Sequence, residues 1–144
     1  METKTILLVE DDENDVFFMR RAIQKANLNL SMEVAMNGQL AIDYLEGNGA
    51  YGDRTKYPLP WAVFLDLKLP YMHGFGVLAW IRQKPSLREL PVMILTSSPE
   101  ERDRREAEKL GAQAYCVKPP TREMVLEVLA PLLGDLLAGP SSIR

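Results

Sequence analysis

The 144-residue chain holds one cysteine and one histidine. A single thiol, Cys116, excludes an internal disulfide and a thiolate metal cluster, and the apolar run 114–117 around it makes it read as a buried core thiol. His73, in a loop ahead of a helical segment, reads as a solvated residue rather than a catalytic group or ligand. No apolar run reaches the roughly 18–20 residues that span a bilayer, and residues 1–4 are too short and polar for a signal peptide, so a cytoplasmic protein without membrane association is expected. A basic excess is missing too. The net charge of −3, with no basic cluster to offset it, argues against binding nucleic acid or anionic lipid. There is no internal repeat, and low complexity is confined to the short tail 139–144.

What remains is a chain 47% hydrophobic and 26% charged, enough for one compact domain spanning 1–144, with a core over 4–134 and a tail over 135–144. Five apolar runs, at 5–9, 32–36, 62–65, 92–95 and 114–117, read as strands. Each is nearly continuous in hydrophobicity, as expected of strands covered on both faces in a parallel sheet. Helical segments at 15–26, 38–46, 74–82, 100–110 and 122–133 alternate with them. The pattern predicts an α/β domain with a doubly wound, five-stranded parallel sheet. Ser98-Pro99-Glu100-Glu101 predicts an N-cap with a capping box, and Thr121 caps the last helix. Residues 48–60, with two glycines and two prolines, should form an exposed loop.

In an open parallel sheet, ligands bind at the carboxyl ends of the strands where strand order reverses. Here those ends carry Glu10-Asp11-Asp12, Asp66, Thr96-Ser97-Ser98 and Lys118-Pro119. Crowded carboxylates repel unless a divalent cation neutralises them, and Mg²⁺ suits oxygen ligands and bridges carboxylate to phosphoryl oxygen. One carboxylate can then attack a phosphoryl group. Asp66 ends the central, most apolar strand and is the candidate, with Lys118 pairing with the phosphoryl group and Thr96 donating its hydroxyl.

The runs Leu7-Leu8-Val9-Glu10-Asp11-Asp12, Phe64 to Pro70 followed by Gly74, Leu95-Thr96-Ser97 and Lys118-Pro119-Pro120 together resemble the receiver domains of two-component response regulators, in family order over about residues 4 to 134. The resemblance implies a flavodoxin-like (βα)5 fold and a single-domain regulator, with no output domain, that accepts phosphate from a histidine kinase or phosphotransfer protein. It implies Asp66 as phosphoacceptor, Asp11 as a direct ligand of Mg²⁺ (or Mn²⁺), and Glu10 as an acidic partner acting largely through water. Lys68 matches the position whose backbone carbonyl completes the metal shell, Thr96 and Tyr115 match the switch pair, and Lys118 precedes what in the family is a cis bond to proline. The extended loop before the third strand and the Asp-Leu-Lys-Leu-Pro run are most similar to stand-alone receivers paired with phytochrome-type kinases. Such a protein is not an enzyme beyond its own phosphorylation and dephosphorylation. Lys68 also stands where a haloacid-dehalogenase-like phosphohydrolase wants a second acid, which argues against turnover. A flavodoxin-like cofactor binder would want a phosphate cradle where three acids stand. A pseudo-receiver that binds partners unphosphorylated usually loses these acids or the lysine. As a long cation, Lys68 is expected to hinder water at the phosphoryl group.

Two surfaces stand out. On the first helix Phe17 points away from the core face of Val16, Met19, Ala22, Ile23 and Ala26, so Phe17 and Arg21 are expected to contact the kinase. On the last helix Leu126, Leu133 and Leu137 form a second apolar stripe, and Pro131 is expected to bend or interrupt that helix. With a fourth helix rich in opposed charges and poor in apolar anchors, this predicts a homodimer through helix four, strand five and helix five.

Overall fold

The computed structural model describes residues 3–138, with the backbone alone described from residue 134 onward. Strands β1 (Lys4–Val9), β2 (Leu30–Ala35), β3 (Ala62–Leu65), β4 (Val92–Thr96) and β5 (Ala114–Val117) alternate with helices α1 (Glu13–Ala26), α2 (Gly38–Glu46), α3 (Gly74–Gln83), α4 (Glu101–Lys109) and α5 (Arg122–Ala138). All strands pair in parallel, in the order β2-β1-β3-β4-β5. This is the doubly wound α/β sheet expected from the pattern.

Side chains alternate across a strand, so a strand covered on both faces needs apolar residues at every position. Ile6, Leu8, Phe64, Met93 and Leu95 pack with α1 and α5 through Met19, Ile23, Val125 and Leu129. Leu7, Val9, Val63, Leu65 and Ile94 pack on the other face with Leu45, Val77, Leu78, Ile81 and Ala107 of α2, α3 and α4. Burial of each such side chain contributes about 1.5–3 kcal/mol. The edge strand β2 differs from expectation: it starts at Leu30, paired with Lys4, and ends at Ala35, leaving Met36 exposed. It has a neighbour on one side only, and among its residues Ala35 alone is buried, so hydrophobicity marks its ends poorly.

Side chains fix most helix starts by accepting otherwise unpaired backbone N–H groups, each worth about 1 kcal/mol. Asp12 accepts from Asn14 N at 2.8 Å and Asp15 N at 3.2 Å, and Asn37 accepts from Leu40 N at 2.8 Å. Thr121 accepts from Met124 N at 3.1 Å, as expected. His73 is exposed, but its Nδ1 accepts from Phe75 N at 3.1 Å, a capping task that its solvated-loop reading lacked. The capping box at Ser98 does not form as expected. The boundary falls at Glu100, so Asp103, three residues on, takes the acid's place, and the Ser98 hydroxyl donates to it at 2.6 Å.

Two further expectations change, and a third gains detail. α5 runs through Pro131 to Ala138, anchored by the fully buried Val125 and Leu129. Leu126 and Leu133 are half-buried and pack on the α1–α5 core, so this stripe is partly covered by its own chain, while the side chain of Leu137 lies outside the described residues. The segment 48–60 is largely exposed, as expected, but it is also pinned. It opens with a 3-10 turn, Gly49–Gly52, and stacks Tyr51 and Tyr57 against Tyr44, with ring centroids 5.1 and 6.0 Å from it. Arg54 donates to the carbonyls of Tyr44 at 2.8 Å, Leu45 at 3.0 Å and Tyr57 at 3.2 Å, satisfying the end of α2.

Cys116 is buried, and burial pushes its thiol from 9.0 up to about 11. A raised pKa favours the neutral folded form, so this contribution to stability is complete below pH 9.0 and lost as pH rises towards about 11. At pH 8 the thiolate is roughly 100-fold scarcer than for an ordinary thiol. A disulfide reagent should therefore label the native protein at least about 100-fold more slowly than the urea-unfolded chain, and comparable rates would contradict the burial described here.

Candidate functional site

Register decides which side chains meet. β1 and β3 align Val9 with Leu65, and β4 and β5 align Thr96 with Val117. The residues that follow, Glu10, Asp66 and Lys118, leave the sheet together at its carboxyl edge. Asp66 N donates to Val9 O at 3.1 Å and Lys118 N to Thr96 O at 2.8 Å, which holds that edge in register. β2 and β3 flank β1 on opposite sides, so the chain turns away in two directions and opens a crevice above Asp66.

The crevice is densely charged. Glu10 is 1% exposed and Asp66 5%, while Asp11 stands exposed beside them, and each offers a carboxylate oxygen within 4.8 Å of the others. Lys118 Nζ lies 2.7 Å from Glu10 Oε1, 2.8 Å from Asp15 Oδ2 and 3.0 Å from Asp66 Oδ2. Its peptide bond to Pro119 is cis, as the resemblance implied. Burial pushes the Glu10 carboxyl up to about 7 despite its hydrogen bond from Lys118, and the charge on Asp66 adds to the rise. Burial works against the Lys118 ammonium, but its hydrogen bonds to Asp15, Glu10 and Asp66 outweigh this and hold its pKa above the ordinary lysine value.

Three carboxylates thus contact one ammonium, and Asp11 stands beside two of them. The three grouped acids present oxygen donors and no nitrogen or sulfur, the donor set of a hard cation such as Mg²⁺ or Mn²⁺. The residues fit such an ion through Glu10, Asp11 and Asp66.

The remaining candidates fall into two groups. Thr96 is wholly buried, and its hydroxyl accepts from Ser98 N at 3.4 Å. The Tyr115 hydroxyl donates to Ser98 O at 2.8 Å, so the two meet through Ser98 in the segment between β4 and α4. Burial raises the Tyr115 phenol pKa, and the Arg104 guanidinium lies 4.7 Å from the ring centroid. Lys68 is exposed, and its backbone N–H donates to Asp66 Oδ1 at 3.4 Å. Outside the charged cluster, Phe17 is 54% exposed as expected, packed edge-on against the exposed Phe18, with Arg21 over its ring at 5.9 Å.

The partner of one site residue and the packing role of another escaped sequence reasoning. Asp15 sits in the first turn of α1, where an acid is ordinarily read as a complement to the helix dipole, so nothing marked it as a partner of Lys118. Gly74 opens α3 with its N–H donating to Leu67 O at 2.7 Å. A Cβ there would overlap the Asp66 carbonyl oxygen and come within 2.8 Å of Leu67 Cα, so the absent side chain lets the helix close against the acceptor's own backbone.

A family model, the response regulator receiver domain, matches residues 6–130. The chain is 36% identical over 117 residues to a probable methanogenesis regulatory protein, FilR2, of Methanothrix harundinacea, covering 79% of this chain and 71% of the relative. It is 33% identical over 115 residues to the response regulator Rcp1 of Synechocystis, covering 80% and 76%. Among solved structures it resembles the bacteriophytochrome response regulator AtBRR at 38% identity and a TM-score of 0.81, covering 92% of this chain and 94% of that one. The Mn²⁺-bound form of Rcp1 aligns at 28% identity with a TM-score of 0.74, covering 95% and 96%.

The packing at Gly74 yields a direct expectation. Gly74→Ala should destabilise the protein by about 1–3 kcal/mol, seen as a lowered urea midpoint, because backbone rather than a mobile side chain must give way. An unchanged midpoint would contradict this close approach.

Proposed function

The chain belongs to the response regulator receiver family, and from that premise we propose that it accepts a phosphoryl group on Asp66 from a histidine kinase or phosphotransfer protein, in a Mg²⁺-dependent phosphorelay. The observation that carries the reading is the shared hold of Lys118 on Glu10 and Asp66 beside the three-acid cluster. An Asp66 oxygen attacks phosphorus, a P–O bond forms, and the P–N bond of the donor phosphohistidine breaks, its electron pair returning to the imidazole. The transferred group gathers negative charge, so catalysis is positioning and electrostatics. Glu10, Asp11 and Asp66 would hold the cation, with the Lys68 carbonyl proposed to complete its shell. When bound, that ion would supply charge neutralisation for the transferred group. Lys118 is already within 3.0 Å of Asp66 and pairs with the phosphoryl group once that carboxylate carries it as an acyl phosphate. Thr96 donates its hydroxyl to the same group, and the exposed Lys68 slows the approach of water to it.

The Thr96–Ser98–Tyr115 connection carries the signal outward. A hydroxyl drawn towards phosphate releases Ser98 N and shifts the segment to which Tyr115 is bonded, a two-state change that only the phosphorylated form rewards. Ala107 is the one buried residue of α4, so this helix is the weakly held element free to respond. The likeness to phytochrome-associated regulators supports a phytochrome-type kinase as donor, meeting the exposed Phe17 and Arg21 on α1. A donor charged from ATP implies a cytoplasmic location. No helix among the described residues is long and apolar enough to cross a membrane.

Incubation with Mg²⁺ and acetyl phosphate, followed by intact-mass analysis, should show one phosphoryl adduct on the native protein and none on Asp66→Asn. An adduct retained by the variant would move the acceptor elsewhere, and no adduct on either would favour a receiver that works unphosphorylated. The α4-β5-α5 face is proposed as a homodimer surface. Equilibrium sedimentation should return twice the chain mass for the native protein and the single-chain mass for folded Leu133→Glu. A native protein sedimenting as a monomer, phosphorylated or not, would remove the dimer.

A further inference from the structure

Lys118 is held by two kinds of carboxylate. Glu10 and Asp66 belong to the three-acid group suited to a divalent cation, whereas Asp15 does not, although its Oδ2 lies 2.8 Å from the same ammonium. An ammonium has three donors and no acceptor capacity, so each of the three contacts, at 2.7, 2.8 and 3.0 Å, uses one of them. A cation drawn to Glu10 and Asp66 competes with Lys118 for their oxygens and repels its charge. Without another anion at hand, the lysine would have to stay and oppose the metal or leave the crevice, where phosphoryl transfer needs it.

Resting on the reading of Asp66 as a metal-assisted phosphoacceptor, we infer that Asp15 is a positioning residue that anchors Lys118 outside the metal-holding set, so that cation and ammonium occupy the crevice together. The fold prepares this role. Asp12 caps α1 by accepting from the Asp15 N–H at 3.2 Å, which fixes the first helical turn and aims the Asp15 side chain at the end of β5. The Asp15 side chain is 29% exposed against 11% for Lys118, so the contact lies at the mouth of the crevice, where an anchored ammonium remains within reach of an incoming phosphoryl group.

The role separates from a plain contribution of negative charge. If Asp15 acts through Lys118, its loss matters only while the lysine is present; if it merely attracts the cation, its loss matters in either background. Calorimetric titration with Mg²⁺ should therefore show Asp15→Asn binding about tenfold more weakly than the native protein, a coupling of the size found between neighbouring charged groups. In the Lys118→Ala background the same substitution should change affinity less than about twofold, and Asp15→Glu should recover most of the loss. Thermal melts with and without Mg²⁺ verify that each variant is folded and give the same ranking as metal-induced shifts in Tm. Equal losses in both backgrounds, or no loss in Asp15→Asn, would overturn the positioning role while leaving the acceptor reading intact. Failure of the native protein to bind Mg²⁺ at all would instead overturn the acceptor reading, and this inference with it.

Discussion

The hydrogen-bonded ammonium of Lys118 is the interaction on which the site depends. Glu10 and Asp66 are almost wholly buried, and two buried carboxylates side by side cannot both stay charged without a counter-charge. Lys118 provides part of it from the far end of the sheet, bridging the first, third and fifth strands and the first helix through one nitrogen. One cation still leaves the acids short of positive charge, and burial, with the charge on Asp66 adding to it, raises the Glu10 carboxyl to about 7. A site left short of positive charge in this way is suited to take up a divalent ion.

The rest of the fold exists to bring those groups together. Two-face burial packs the three central strands firmly, and their register with one another and with the edge strand β5 sets Glu10, Asp66 and Lys118 at one end of the sheet. The glycine at the start of α3 lets that helix press on the acceptor's backbone, which helps to place Asp66. Precision here comes from strands and a helix start rather than from a flexible loop, as a reaction governed by positioning requires.

Rigidity is not uniform. α1 and α5 bury continuous stripes against the sheet, whereas α4 contributes Ala107 alone and covers its surface with paired charges such as Glu101 with Arg105. Exposed ion pairs of this kind add at most about 1 kcal/mol each. The segment between β4 and α4, touched by both Thr96 and Tyr115 through Ser98, therefore joins the most ordered part of the site to the least firmly held helix.

The amino-acid sequence by itself determined the strand and helix alternation, because strands buried on two faces must be apolar throughout, and it determined which acids, hydroxyl and lysine end the strands. It also exposed Phe17, since helical periodicity leaves that ring opposite the core face. Where one face or one neighbour was missing, the pattern weakened: β2 lies at an edge and shifted its bounds, and the stripe of Leu126 and Leu133 turned out to pack partly on its own core. The tertiary structure alone decided that the 48–60 segment is clamped by Arg54, that His73 caps α3, and that Asp15 reaches Lys118. Each of these joins groups whose partners depend on how elements are placed in space, and an acid in a first helical turn looks the same in a sequence whether it faces water or an ammonium 103 positions away.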